Sequence, residues 1–412
     1  MILGIIPHNA WRKDITMSGD EKPKKRIRGL LSVAISLATL VVLTYIAVTL
    51  ISGREFFFMR FIRNRVSSEP MVIVDEYSFE VGRARVFADL GETVAAVGTL
   101  GVQVLDLGGN ELLRDPFRLT SPAIDVSGNK AIAFDIGGTA VRVINDAEFS
   151  ASFDTEAAII SASVNENGWF CVCVRDDSGY KCAATVYNNL GKEEYKVRMA
   201  SGYILSSILS KDNRRLAVLS LTEGGSKIAF YELSKEDVDR TFLLPDRLII
   251  DIQYLPSGDL LAVTTESLVA VDKNGGGKEL HWFAGKRLGN YTVSGGLIAL
   301  HLLDYGVGYN GRLVTFDGNG SFLATISTDY EIVSMSACED RLSVLRNDAV
   351  VMFDKELCEI RHSPAPASSA GAEGILALRD GAALVTSDHT AVILRAEDGD
   401  NGVYVDETGT SY

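Results

Sequence analysis

The sequence is poor in the residues that build metal centres and catalytic triads. Its 412 residues include only five cysteines and five histidines. No histidine lies in a His-x-x-x-His or His-x-Glu context, and no second cysteine pair stands at the spacing that a zinc site requires. The sequence therefore predicts no metal site, no cofactor and no identifiable catalytic residue, so an enzymatic activity is the less favoured expectation.

Positive charge is also scarce outside the N-terminus. The chain has 40 Lys and Arg against 54 Asp and Glu, a net charge of −14. Residues 1–29 are nevertheless basic, because they contain seven Lys and Arg but only three Asp and Glu. The remainder is strongly acidic, which excludes nucleic acid as an expected partner.

Charge is absent from residues 30–51, "LLSVAISLATLVVLTYIAVTLI". As a helix these 22 residues would measure about 33 Å, enough to cross a bilayer, so we expect a transmembrane helix in contact with lipid. A cleaved signal peptide is the alternative, although its apolar core would be shorter. "KPKKRIR" before the segment outnumbers the four arginines after it, which favours a cytoplasmic N-terminus.

These segments divide the chain into five parts. We expect a basic cytoplasmic tail (1–29), a membrane helix (30–51), a juxtamembrane linker (52–71), an extracytoplasmic body (72–400) and a C-terminal tail (401–412). Met17 is an alternative start, because "MSGDEKPKKRIRG" also suits the beginning of a single-pass membrane protein.

The body is built from a repeat of about 40 residues. Paired apolar runs recur eight times, as in "KAIAFDIGGTAVRVIN" from 130 and "LLAVTTESLVAVDKN" from 260. A short apolar run precedes most pairs and a more polar run follows them. Four strands per 40 residues are typical of a β-propeller blade.

The predicted fold is therefore an all-β propeller, with eight four-stranded blades as the first choice and seven as the alternative. The eighth unit lacks a convincing fourth strand, whereas "VIVDEYSFEVG" (72–82) precedes the first unit without a partner. We expect this N-terminal strand to complete the last blade and close the ring, because closure removes an open sheet edge.

A charge-free N-terminal span followed by degenerate blades with Asp/Asn-Gly turns resembles an uncharacterised bacterial family of single-span, membrane-anchored propellers. That family is similar in style to the YVTN and quinoprotein-like propellers. The resemblance covers about residues 30–400 and implies no specific activity. The chain's three tryptophans do not recur in each unit, which disfavours a quinoprotein dehydrogenase.

Two glycine-rich motifs invite other interpretations. "DIGGT" (135–139) is similar to the phosphate-binding turn of actin-like sugar kinases, but it stands between the second and third strands of its unit, where a hairpin turn is expected. "DGNGS" (317–321) is similar to the start of a calcium loop, but Thr328 occupies the twelfth position, where a bidentate Glu is required.

The cysteines leave three interpretations open. If 176–179 form the turn, Cys173 faces Cys182 across a hairpin, and a disulfide between them is one interpretation. Free buried thiols are the favoured one and a metal site the least favoured.

Two enlarged hairpin loops are the candidate partner-binding sites, because Tyr offers contact area at low entropic cost. The alternative is that they are merely longer, solvated hairpins. Their candidate residues are Asp176, Asp177, Tyr180, Asp304, Tyr305, Tyr309 and Asn310. We expect a non-enzymatic binding or scaffold module, tethered at the cell membrane, for a protein or cell-wall ligand. The alternative is a propeller-class enzyme (hydrolase, lyase or quinoprotein-like) with an unrecognised site in its channel.

Overall fold

The computed structural model describes residues 69–176, 178–304, 308–366, 371–388 and 390–397. Within these residues the regular structure is entirely β. None of the described residues forms a helix long and apolar enough to span a bilayer. The predicted tail 1–29, membrane helix 30–51, nearly all of the linker 52–71 and the C-terminal tail 401–412 lie outside the described residues.

The strands follow one another as antiparallel meanders of four. The N-terminal strand β1 is Glu69–Ser78. The first meander is β2 (Val86–Asp89), β3 (Thr93–Gly98), β4 (Gly101–Asp106) and β5 (Glu111–Pro116). The second is β6 (Pro122–Ser127), β7 (Lys130–Asp135), β8 (Ala140–Asn145) and β9 (Glu148–Asp154). The third is β10 (Ile159–Val164), β11 (Phe170–Arg175), β12 (Cys182–Tyr187) and β13 (Glu193–Met199).

The same order continues through the middle of the chain. The fourth meander is β14 (Tyr203–Leu209), β15 (Arg215–Thr222), β16 (Gly225–Glu232) and β17 (Val238–Leu244). The fifth is β18 (Ile249–Tyr254), β19 (Leu260–Thr264), β20 (Ser267–Val271) and β21 (Gly277–Trp282). The sixth is β22 (Arg287–Val293), β23 (Leu297–Leu303), β24 (Gly311–Asp317) and β25 (Phe322–Thr328).

The last strands join β1 in a larger sheet. They are β26 (Ile332–Cys338), β27 (Arg341–Arg346), β28 (Ala349–Asp354), β29 (Glu359–Pro364), β30 (Gly374–Ala377), β31 (Ala383–Thr386) and β32 (Thr390–Ala396). The sheet order is β26-β27-β28-β29-β1-β32-β31-β30. The described residues thus form six four-stranded sheets and one eight-stranded sheet, which differs from the predicted eight separate sheets of four.

Strand β1 accounts for this difference. It pairs antiparallel with β32 from Met71 to Ser78, as expected for a strand that completes the last unit. It begins at Glu69, three residues earlier than predicted, and Glu69 and Pro70 pair in parallel with β29. These two extra residues therefore bridge two groups of four strands into one sheet.

The core consists of apolar layers between successive sheets. In β19 all five residues are buried, and in β7 all but the first, whereas the outer strand β5 alternates exposed and half-buried residues. The buried side chains form eight apolar clusters, each joining two consecutive groups of strands. One of them packs Leu384 and Ile393, near the end of the chain, against Val94 and Leu105 of the first meander. The strand groups therefore follow one another in a closed circle.

Candidate functional site

The "DIGGT" segment is a hairpin turn whose backbone groups are already used. Gly137, at a φ of 81°, donates its N–H to the carbonyl of Ile159 at 2.8 Å. The Asp135 carboxylate accepts the N–H groups of Thr120 and Ser121 at 2.9 and 2.7 Å. These bonds hold the turn against the preceding and following strands, so the hairpin interpretation is correct and a phosphate cradle does not form here.

The "DGNGS" segment is also a structural turn. The Asp317 side chain accepts the N–H groups of Asn319 and Ser321 at 2.9 and 2.8 Å. Asp272 holds the equivalent turn of the preceding meander in the same way. The carboxylate oxygen that calcium would need therefore already accepts hydrogen bonds from backbone N–H groups. In the described part of the chain no group of three or more His, Cys, Asp or Glu side chains is arranged for a metal ion.

The predicted pairing of Cys173 with Cys182 is wrong in register. Cys173 lies opposite Ala184, and Cys182 lies opposite Arg175, because the turn spans residues 176–181 rather than 176–179. Both thiols are free and buried. Cys173 donates to the hydroxyl of Ser207 at 3.1 Å, and Cys182 accepts the N–H of Ile204 at 3.3 Å. The two thiols therefore join neighbouring sheets by hydrogen bonds.

The first predicted binding loop forms a cation–aromatic group. The Arg198 guanidinium lies 6.0 Å from the ring centroid of Tyr180 and 3.6 Å from the Asp176 carboxylate. The Ser178 hydroxyl and N–H hold the pKa of Asp176 below its ordinary value. Tyr180 is exposed. Arg198 thus brings two of the predicted residues together, while Asp177 lies outside the described residues.

The second predicted loop makes contacts of its own. Asp304 pairs with Lys286, and its N–H donates to the Asn310 carbonyl at 2.9 Å. Tyr309 is exposed, and its hydrogen bond to Glu331 raises its pKa. Tyr305 lies outside the described residues. No contact between the two predicted loops is found among the residues that the structure describes.

A larger surface extends from the first loop over the next two sheets. The Lys181 ammonium lies 4.8 Å from the ring centroid of Tyr203, which pairs with Leu221 across the sheet. Five large side chains here have relative exposures of 40 to 58%, although soluble proteins bury most such residues. We call this surface the apolar arc, which comprises Tyr203, Leu221, Leu243, Leu248 and Trp282.

A cleft of about 360 Å³ lies beside two members of the apolar arc. Leu221 and Leu248 line it, together with Gly224, Arg247 and the acids Glu223 and Asp246. Gly224 packs beside Leu243. The Arg247 guanidinium lies 5.5 Å from the ring centroid of Trp282 and 2.8 Å from the Glu279 carboxylate. The five side chains therefore lie at the end of the fold that carries the hairpins between second and third strands.

A second concave site lies among the inner strands. A cavity of about 710 Å³ is lined by β6, β10, β14 and β18 and by the turns that follow them. Since these turns connect first to second strands, the cavity lies towards the end of the meanders opposite to the apolar arc. Asp125 and Asp251 both line it.

Burial dominates the electrostatics of this cavity. Burial, with the negative charge of Asp251 as a smaller cause, raises the pKa of Asp125 to about 7. Burial likewise raises the pKa of Asp251, which accepts the N–H of Ile252 at 2.8 Å and bonds the hydroxyl of Tyr291. Perturbed carboxylates in a cavity are a common feature of binding and active sites.

The sequence interpretation missed both sites. A solitary acid within a short apolar run, as in "AIDVS" and "LIIDIQYL", was the available signal for Asp125 and Asp251. Leu221 and Leu248 carry no such signal, because each stands in an apolar run typical of a buried strand. Their exposure depends on where the strand ends.

The solved structures similar to this chain include three propeller-type domains or proteins. The C-terminal WD40 domain of Sif2 is 11% identical with a TM-score of 0.52, and the match covers 81% of this chain and 97% of that one. Apo AztD from Citrobacter koseri is 10% identical, with a TM-score of 0.48 and coverages of 68% and 86%. The WD40 domain of Pan2 from Neurospora crassa is 10% identical, with a TM-score of 0.45 and coverages of 81% and 97%.

At such identities the similarity shows the fold alone, and the Sif2 domain, with the highest TM-score of the three, shows it. The β-propeller and the repeats predicted from the sequence are confirmed. No curated protein matches the sequence. The sequence model of DUF5711, a family of unknown function, matches residues 64–360. The chain therefore belongs to the DUF5711 family.

Proposed function

We propose that this protein is a non-enzymatic binding module and that the apolar arc docks a partner protein. The observation that carries the proposal is the exposure of five large apolar side chains at one end of two neighbouring sheets, two of them beside a cleft: Tyr203, Leu221, Leu243, Leu248 and Trp282. Exposed apolar groups rimmed by polar ones mark interaction surfaces, and Tyr, Trp and Arg are the residues that most often dominate binding energy.

The chemistry of the arc favours a partner segment with apolar side chains next to an acidic one. The cleft between Leu221 and Leu248 suits an aliphatic or aromatic side chain. Lys181, above Tyr203, makes no ion pair among the residues that the structure describes. Its ammonium is therefore available to a carboxylate on the partner.

Photo-crosslinking tests this assignment. A photoreactive amino acid at Leu248 or Tyr203 should crosslink one protein in cells, and the same group at Leu190 should not. Leu190 is 81% exposed but lies in the turn between β12 and β13, at the opposite end of the fold. Crosslinks to a second copy of this chain, or equal crosslinking from Leu190, would contradict the proposal.

The captured protein then permits a quantitative measurement. Leu248→Asp and Trp282→Ala should each weaken binding of the purified partner at least tenfold, whereas Leu190→Ser should leave it within twofold. Lys181→Gln should weaken binding mainly at low salt, because a rim charge acts over the Debye length. Equal affinities for all four variants would remove the arc as the docking surface.

We further propose that residues 30–51 tether this module to a membrane, with the body outside. The support is the run of 22 uncharged residues and the basic segment before it. In a Cys338→Ser background, a cysteine introduced at Leu190 should react with a membrane-impermeant maleimide in intact cells, while the Cys338→Ser protein without it should not. Labelling only after cell lysis would place the body inside.

We also propose that the propeller has eight blades. Only two parallel residue pairs join the two halves of the eight-stranded sheet, and eight apolar clusters separate the strand groups. An experimental density map with seven blades would overturn this count.

A further inference from the structure

We propose that the central cavity binds a protonated aliphatic amine, held between Asp125 and Asp251. The proposal is independent of the docking function, because the cavity and the apolar arc lie at opposite ends of the meanders. At about 710 Å³ the cavity is within the range of small-molecule sites.

The charge of the lining points to a cation. Four acids and two bases line the cavity, so with every group ionised it carries two surplus negative charges. Lys211 pairs with Glu166 at 2.5 Å. The hydrogen bond from the Ser210 hydroxyl, with the charge of Arg215 as a smaller cause, lowers the pKa of Asp212. Asp125 and Asp251 make no ion pair within the described part of the chain. They are therefore the two acids without a counter-charge.

Further polar groups line the same cavity. The hydroxyl oxygens of Ser163, Ser206 and Tyr254 are buried and without a hydrogen-bond partner among the described residues. Leaving a buried hydroxyl unpaired is costly. A serine hydroxyl changes its direction by rotation about one bond, so Ser163 and Ser206 can offer acceptors to a ligand in this cavity.

An ammonium group fits these acceptors better than a metal ion. Asp125 and Asp251 lie on β6 and β18, which belong to different sheets, and no set of three metal-ligating side chains occurs in the described residues. A divalent ion with protein ligands prefers several oxygens within about 2.5 Å. An ammonium needs only three acceptors, and a carboxylate with two serine hydroxyls supplies that number.

Proton linkage provides a signature of the bound state. The group facing Asp125 electrostatically is Asp251, and those facing Asp251 are Gln253 and Tyr291. Of the other charged lining groups, Glu166 and Lys211 form an ion pair, and Arg215 acts on Asp212 electrostatically. Near pH 7 Asp125 is partly protonated because burial raises its pKa. A cation beside it favours the ionised form, so binding should release a proton.

Titration calorimetry of the full-length protein in nonionic detergent tests the proposal, with 1,4-diaminobutane as the probe and 1,4-butanediol as its neutral control. We expect saturable binding of the diamine at 150 mM salt and none of the diol. Asp125→Asn and Asp251→Asn should each weaken binding at least tenfold. Glu166→Gln, which removes the same charge from the cavity lining at a paired position, should change affinity less than threefold.

A second measurement does not depend on the variants. A pH-stat titration of the natural protein at pH 6.5 to 7 should show protons released on addition of the diamine, and fewer at pH 8.5. Absence of saturable binding, equal binding of the diol, or equal weakening by Glu166→Gln would overturn the proposal. Tighter binding of calcium or magnesium than of the diamine would overturn it in favour of a metal site.

Discussion

The Asp125 carboxylate accepts the backbone N–H of Val164 at 2.9 Å, from one inner strand to the next. Inner strands have a neighbour on one side only, so their other edge presents unpaired N–H groups. The Thr292 hydroxyl oxygen accepts the N–H of Ala337 at 3.1 Å in the same manner. Side chains of one unit therefore accept hydrogen bonds from unpaired N–H groups at the inner edge of the next unit.

Asp125 should make the protein less stable as pH rises. Its pKa is raised to about 7 by burial, from an ordinary value of 3.8. The folded state therefore keeps a proton that the unfolded chain loses. The resulting stability is complete below pH 3.8 and is lost as pH rises towards 7, by at most about 1.4 kcal/mol per pH unit. Urea unfolding of the natural protein and of Asp125→Asn between pH 4.5 and 7.5 measures the difference. A difference that does not vary with pH would contradict the assignment.

His301 should make the protein less stable as pH falls, the opposite of the effect of Asp125, over nearly the same pH range. It is buried, its Nε2 lies 3.2 Å from the Thr328 hydroxyl, and burial together with Arg287 lowers its pKa to about 4. In the unfolded chain His301 therefore takes up a proton at about pH 6.5, whereas in the folded state it stays neutral at that pH. Stability relative to His301→Gln should be constant above pH 6.5 and fall as pH decreases towards 4. Chemical unfolding at pH 7.5, 6 and 5 tests this, and a rise on acidification would refute it.

Two glycines with positive φ should differ sharply in their tolerance of alanine. At Gly101, with a φ of 127°, a Cβ would lie 2.1 Å from the Asp115 carbonyl oxygen. At Gly137, with a φ of 81°, a Cβ meets nothing within 4 Å. Gly137→Ala should cost about 1 kcal/mol for its backbone conformation alone. Gly101→Ala should cost at least about 2 kcal/mol more, because the strands must separate. Equal melting temperatures for the two variants would contradict this.

Strand β1 should contribute measurably to stability. Met71 is buried in the cluster that holds Leu345 and Leu394, whereas its neighbour Val72 is 37% exposed. Met71→Ala should therefore lower the free energy of unfolding by about 2–4 kcal/mol. Val72→Ala should lower it by less than about 1 kcal/mol. If both substitutions are neutral in urea unfolding, β1 does not hold the last strands in solution.

Cys171, Cys173, Cys182 and Cys338 should behave as free thiols. Cys171, Cys173 and Cys182 are buried, and Cys338 is half-buried. In the folded protein iodoacetamide should therefore modify Cys338 before these three. In denaturant without a reducing agent all four should be alkylated, as counted by mass spectrometry. A disulfide would leave the Cys173 and Cys182 thiols unalkylated, with a mass two units below that of the two free thiols.

Local patterns predicted those features that depend on periodicity. The apolar pairs of runs placed the second and third strands of each unit, and the need for closure placed the strand that became β1. The turn before Cys182 was misjudged, because Tyr180 and Lys181, which look like strand residues, belong to the connection between β11 and β12. The apolar arc and the pair of Asp125 and Asp251 depend on contacts between units far apart in the chain, for which one sequence contains no pattern.

The pairing of β1 with β32 also sets the order in which the propeller can be completed. Met71 and Ala396 are partners although on the order of 300 residues separate them. During synthesis the segment 69–78 leaves the ribosome early and has to wait, unpaired, until the last strand emerges. The meanders between them contain only local contacts and can fold as they appear. Until the ends meet, β1 and the last strand group offer open edges to other chains, so newly made protein is most at risk of misassembly in this interval.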